Sequence, residues 1–91
     1  MRIEKETLKD YNFLKTEIHT GIKRIKRRTA NIQRAVRLGN LYKNKVKIFF
    51  RTEERDLYFV ETTIWGAGRE FIELKGGITI PVVSIEKIDF S

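Results

Sequence analysis

The chain has 91 residues, no cysteine and a net charge of +7, with an isoelectric point near 9.9. That length supports one small core rather than a two-domain enzyme, and the lack of cysteine excludes disulfides, thiolate metal sites and thiol nucleophiles, which fits a reducing cytoplasm. The charge is unevenly placed: residues 1–45 hold thirteen Lys or Arg against four Asp or Glu, whereas residues 46–91 hold six against eight.

The opening residues Met1-Arg2-Ile3-Glu4-Lys5-Glu6 lead into no apolar run, so neither a signal peptide nor a membrane span is expected. From Tyr11 onward, Leu14, Ile18, Ile22, Ile25, Thr29, Ile32 and Val36 recur at spacings of three and four, the period of one helix stripe. The spacing predicts helix over roughly residues 5–38. Thr7 followed by Asp10 resembles a capping box, and Gly39-Asn40 offers residues able to close a helix in the left-handed conformation. An unbroken helix of about 34 residues would be roughly 50 Å long, so two forms are expected: a helical hairpin broken near His19-Thr20-Gly21, or a protruding helix that pairs with another copy.

Beyond the seam at Gly39-Asn40 the period changes to two. Val46, Ile48 and Phe50 alternate with Lys47, Phe49 and Arg51, and the turn-prone Glu53-Glu54-Arg55-Asp56 follows. Further strands are predicted over Leu57 to Trp65, Phe71 to Leu74, Ile78 to Val83 and Lys87 to Phe90, divided by Gly66-Ala67-Gly68, Lys75-Gly76-Gly77 and a short link at Ser84-Ile85-Glu86. Five short strands in under fifty residues suit a small, strongly bent antiparallel barrel. The stretch from Ile72-Glu73-Leu74-Lys75-Gly76-Gly77 through Ile78-Thr79-Ile80-Pro81-Val82-Val83 to Ser84-Ile85-Glu86-Lys87-Ile88 resembles the third to fifth strands of the Sm-like branch of SH3-like barrels, which includes the Hfq-type RNA chaperones. Thr62-Thr63-Ile64-Trp65 and Leu74-Lys75-Gly76-Gly77-Ile78-Thr79-Ile80-Pro81 also resemble small bacterial proteins of uncharacterised activity.

The resemblance covers about residues 39–90, and with the helical spacing upstream it gives an expected α+β fold: a basic amphipathic helical region over residues 1–39, as one long helix or a hairpin, then a five-stranded SH3/Sm-like barrel over residues 40–91. It does not imply the family's base pocket. Phe71-Ile72-Glu73 stands where an Sm protein presents Asn, and Pro81-Val82-Val83 stands where Hfq-type proteins carry a Lys-His pair. Pro81 also lacks an N–H for edge pairing between ring subunits.

No carboxylate lies between Glu17 and Glu53, yet Lys23, Arg24, Lys26, Arg27, Arg28, Arg34, Arg37, Lys43, Lys45, Lys47 and Arg51 do. A block of one sign attracts polyanions or acidic protein surfaces. The candidate nucleic-acid-binding set is Lys23, Arg24, Lys26, Arg27, Arg28, Arg34 and Arg37 on the helix, extended by Tyr42, Lys43 and Lys45. Neutralising phosphates releases counterions, and the guanidinium fork holds phosphate through two hydrogen bonds. RNA or DNA is the first expected partner and an acidic protein the alternative, set against a merely solvated helix face. Phe49, with some of Tyr58, Phe59, Trp65 and Phe71, exceeds what a small core buries. These aromatics are expected either to lie under the helix or a second subunit, hence a homo-oligomer, or to stack on bases.

Catalysis finds little support in the sequence. His19 is the lone histidine and is read as structural or solvent-exposed. Glu61, Glu70 and Glu73 are explained as outward strand positions, and neither glycine-rich turn has dinucleotide or P-loop spacing. A non-enzymatic binding module without cofactor or metal is the reading.

Overall fold

Among residues 1–90, which the computed structural model describes, the chain forms one α-helix and six strands in two three-stranded antiparallel sheets. Strands β1 (Val46–Arg51), β2 (Leu57–Thr62) and β6 (Ile85–Asp89) pair in the order β2-β1-β6. Strands β3 (Ile64–Ala67), β4 (Phe71–Leu74) and β5 (Thr79–Pro81) pair in the order β3-β4-β5. The chain crosses between the sheets at Thr63 and through the 3₁₀ turn Val82–Ser84. This corrects the expected five-stranded barrel. The run expected as one strand from Leu57 to Trp65 is divided at Thr63, its halves pair in different sheets, and the ladders do not close.

Within β1 the expected alternation holds: Val46, Ile48 and Phe50 are buried while Lys47, Phe49 and Arg51 face the other side. Leu8, Ile48, Phe50, Ile64, Ile72, Leu74, Ile80 and Ile85 are fully enclosed between the sheets. Each such side chain contributes about 1.5–3 kcal/mol by leaving water.

Helix does not form over the first half of the predicted region. Lys5–Asp10 is a 3₁₀ helix, and residues 11–20 form an irregular segment with bends and an isolated bridge from Phe13 to Thr52. The Thr7 hydroxyl donates to the Glu4 carbonyl at 2.7 Å instead of capping a helix. The reason lies in backbone groups that the strands leave open, since unpaired edge N–H and C=O groups recruit any nearby chain. Ile3 N–H donates to Phe59 O and Phe59 N–H to Met1 O, both at 2.9 Å, along the outer edge of β2. Leu14 N–H reaches Arg51 O at 3.0 Å and Ile18 N–H reaches Val83 O at 3.1 Å. Leu8 and Leu14 are buried by this wrapping, and the rings of Tyr11 and Phe13 lie 6.5 and 5.1 Å from that of Phe50. A straight helix of roughly 50 Å could not have delivered them to a body whose longest extent is 34 Å.

Helix α1 (Ile22–Tyr42) begins at the expected weak point, with Gly21 as its N-cap and no side-chain cap bond. It does not end at Gly39-Asn40. The left-handed residue that ends it is Lys43, at φ 57°, whose N–H donates to Gly39 O at 2.9 Å. Gly39 instead marks the closest approach of α1 to β3: a Cβ there would sit 2.7 Å from Ile64 O and 2.8 Å from Thr63 Cγ2. Backbone oxygen cannot yield as a flexible side chain can. Gly39→Ala is therefore expected to destabilise by about 1–2 kcal/mol, the overpacking cost exceeding the gain in helix propensity. A thermal melt showing an unchanged or raised Tm would contradict this contact.

The helix packs across β3 and β6, the facing edges of the two sheets. Its buried face is Arg28, Ile32, Ala35 and Gly39, with Ile25 and Val36 half-buried, whereas Ile22 is 65% exposed and Thr29 is exposed. The expected stripe is thus rotated by a little under one residue. Because the helix spends its apolar side on its own sheets, neither a helical hairpin nor a second copy paired along that stripe is needed to cover it. No helix among the described residues is long and apolar enough to cross a membrane.

Candidate nucleic-acid interface

At about 100° per residue, the buried positions 28, 32, 35 and 39 leave the opposite half of α1 to Lys23, Lys26, Arg27, Arg34 and Arg37, with Arg24 at the border of the buried face beside Ala35. These six fall within an arc of roughly 160°, and all are exposed. Ion pairs among the described residues join Arg2 to Glu61, Lys15 to Glu53, Arg28 to Glu17 and Arg51 to Glu86, so Arg28 is the helix cation they include. The Arg34 guanidinium lies 4.3 Å from the centre of the Phe90 ring, which orients it without neutralising it.

Arg28 has to be withdrawn from the expected binding set. It is 4% exposed, and its guanidinium is committed inward: Nη1 donates to Glu17 Oε2 at 2.7 Å and to Ile85 O at 3.2 Å, while Nη2 donates to Glu17 Oε1. Glu17 also accepts the backbone N–H of His19 at 3.0 Å. Burial pulls the Glu17 carboxyl upward, but the Arg28 hydrogen bonds, the His19 N–H and the Arg28 charge outweigh it and hold the group below its ordinary value of 4.5. The pair ties the N-terminal segment to α1 and β6. His19 has a related role, with its Nε2 2.7 Å from Glu86 O, a geometry in which the ring donates and the carbonyl accepts.

Two concavities lie near opposite ends of α1, and of the six exposed helix cations Arg24 and Arg27 line one of them, whereas Lys23, Lys26, Arg34 and Arg37 line neither. One, of about 330 Å³, lies between the first turns of the helix and β6 and gathers Arg24, Arg27, Asn31 and Lys87 around the inward-tied Arg28 and His19. Its carboxylate, Glu86, already accepts from Arg51 Nε at 3.0 Å. The other, of about 270 Å³, is lined by Gly39, Asn40, Lys43, Lys45, Thr63, Trp65 and Lys75. Tyr42 is 69% exposed beside it but is not a lining residue.

The surplus aromatics separate into three environments. Phe49 and Phe59 stack on the outer face of the first sheet with centroids 5.0 Å apart, and Lys87 and Lys47 cover them at 4.8 and 5.6 Å. Tyr58 packs on Tyr11 and Phe50. Trp65 and Phe71 stay exposed, Phe71 beside an apolar groove that includes Tyr11, Phe13, Pro81 and Val83. Neither the helix nor a second subunit is therefore needed over Phe49; lysine side chains cover it. Glu61 is paired with Arg2, and no group of three or more metal-binding side chains gathers among the described residues.

No family model, curated protein or solved structure matches this chain. Of the residues expected in the interface, the structure brings Arg24 and Arg27 to one cleft and Lys43 and Lys45 to another, joined by the exposed arc of α1. Lys87, Asn31, Asn40 and Lys75 complete the two clefts and were not expected there, whereas Trp65, which joins them, was among the aromatics expected either to be covered or to stack on bases. Strand alternation does place Trp65 outward, because Ile64 points inward, but no local pattern relates Lys75 to a helix thirty residues earlier.

Proposed function

We propose that this chain is a non-enzymatic module that binds nucleic acid through the exposed cations of α1, with Lys43 and Lys45 extending the track. The observation that carries this reading is the crowding of cations at the N-terminal end of a helix that contains no acid. The positive end of a helix dipole lies at its N-terminus, where acids stabilise and cations cost about 0.3–1 kcal/mol each. Here Lys23, Arg24, Lys26 and Arg27 crowd that end with no acid in the first turn, and the last turn has no base. A face serving only solubility would gain by the opposite arrangement. A bound phosphate backbone removes the penalty, because anions are favoured where helix N–H groups and cations converge.

From Arg24 to Lys43 the helix axis spans about 28 Å, enough to follow several successive phosphates. We also read the two sheets, joined through Thr63 and through Val82–Ser84, as an opened relative of the Sm-like barrel; this concerns topology and adds no ligand residue. An acidic protein would be drawn to the same cations, so the test includes it.

Fluorescence anisotropy with single-stranded RNA, single-stranded DNA, duplex DNA and a poly-glutamate peptide, across 50–300 mM salt, is the direct experiment. The proposal expects nucleic-acid affinity to fall steeply with salt. Arg24→Gln/Arg27→Gln/Arg34→Gln should weaken every nucleic acid on the order of 100-fold and lower the log–log salt slope by about 2–3. Binding that survives this triple change, or tighter binding of poly-glutamate than of any nucleic acid, would overturn it.

A further inference from the structure

The concavity at the C-terminal end of α1 has features that a purely electrostatic track does not require. Trp65 is 49% exposed there and is the only tryptophan of the chain. It sits at an irregularity of the β3–β4 ladder: Ile64 pairs with Leu74 and Gly66 with Glu73, so Trp65 is the extra residue of a bulge. Bulges re-aim a side chain away from the regular pleat. Lys43 reaches the same concavity from the left-handed position that ends α1, where glycine is the usual residue. Two local departures from regular backbone thus serve one cavity and present an indole and an ammonium group to it.

Its chemistry is mixed rather than greasy. The indole offers a flat apolar face, Asn40 offers an amide with both donor and acceptor, and Lys43, Lys45 and Lys75 surround them with positive charge. No carboxylate lines the cavity. At about 270 Å³, it lies near the lower end of small-ligand sites, which run from about 300 Å³ upward. A flat aromatic ligand carrying a negative group fits this set. A lysine-only patch would hold a phosphate without needing the tryptophan, and an apolar partner would not need three ammonium groups.

We infer that this cavity takes one unstacked nucleobase of a single strand, stacked on Trp65, with its amide-edge partner at Asn40 and its flanking phosphates on Lys43, Lys45 and Lys75. The inference rests on the nucleic-acid reading of α1 and adds to it a preference for single strands, since a base inside a duplex cannot leave its stack without cost.

The lone tryptophan makes the test direct. Intrinsic fluorescence of the full chain is titrated with dT12, with a 12-base-pair duplex and with heparin, while anisotropy of labelled versions of each records binding independently. The expected result is saturable quenching by dT12 and little change with duplex or heparin, although all three bind. Trp65→Leu should lower dT12 affinity on the order of tenfold and leave heparin affinity unchanged; Trp65→Phe should retain most of the dT12 affinity. Lys43→Gly, which suits the left-handed backbone, should leave the Tm unchanged or higher while weakening dT12 severalfold, so the loss cannot be ascribed to unfolding. If dT12 binds by anisotropy but Trp65 emission is unaltered and Trp65→Leu binds equally well, the base pocket is refuted and the helix reading stands. If no nucleic acid binds, both fall.

Discussion

Glu17→Gln is expected to destabilise the chain by about 2–3 kcal/mol, the largest loss from a single isosteric change outside the apolar core. Gln removes the charge and one acceptor but not the volume, so the effect isolates the ion pair. It leaves the Arg28 guanidinium, 4% exposed and bonded inward to the Ile85 carbonyl of β6, without its counter-charge. The value is set toward the low end for buried pairs because the Glu17 side chain keeps 30% of its accessible surface. Against a total of about 5–15 kcal/mol for a domain, the variant should melt visibly earlier, at about 4–8 °C per kcal/mol. Arg28 Nε has no partner, so the site is not fully satisfied even in the native pair. For that reason Glu17→Gln/Arg28→Met, which removes both charges, should recover much of the loss. The pH dependence follows from the lowered carboxyl. Folding holds Glu17 ionised, so its contribution is complete above the unfolded value near 4.5 and is lost as the pH falls through the lower folded value. Thermal melts between pH 3 and 7 should therefore show a steeper acid loss for the native chain than for Glu17→Gln. Parallel curves, or a double variant no more stable than the single one, would dissolve the argument.

The same pair shows where local sequence signals stop. Part of the strand and turn pattern was legible: β1, β4 and the Lys75-Gly76-Gly77 turn fall where alternation and glycine place them, and Gly76 and Gly77 both take positive φ, whereas the run from Leu57 to Trp65 is split into β2 and β3 and Gly66-Ala67 lies within β3 rather than in a turn. The helix register was not, because hydropathy scores Arg28 as a surface residue and gives Ala35 and Gly39 little weight. Their burial follows from Glu17, eleven residues upstream, and from a carbonyl oxygen of Ile64, neither of which enters a periodicity. The first twenty residues misled for a related reason. Tyr11, Leu14 and Ile18 have helical spacing, but nothing local announces the open edge of β2 that takes Ile3 or the Arg51 carbonyl that takes Leu14. The exposed cations were readable from composition because no carboxylate lies near enough in sequence to conceal them. Their grouping into two clefts was not, since Lys75, in the turn after β4, and Lys87, in β6, are brought to α1 only by the tertiary fold.

Reversing the two first-turn cations should raise stability while abolishing binding, a combination that separates the proposed role from a generic surface. Lys23 and Arg24 occupy the second and third positions of α1, are exposed and have no acid beside them in the first turn. In Lys23→Glu/Arg24→Glu each change removes an unfavourable charge–dipole interaction and supplies a favourable one. The two together should give about 1–2 kcal/mol at low ionic strength, or roughly 4–16 °C in Tm. The gain should shrink in salt, which a packing effect would not. Nucleic-acid affinity should fall on the order of 100-fold, because two of the proposed phosphate contacts would become repulsive and the cleft shared by Arg24, Arg27 and Lys87 loses a cation. A residue selected for folding does not improve the fold when its charge is inverted. If the melt is unchanged and binding persists, the crowding of cations at that helix end has no functional cause; if the Tm rises and binding is lost, the native chain retains an electrostatic cost whose compensation is the polyanion it holds.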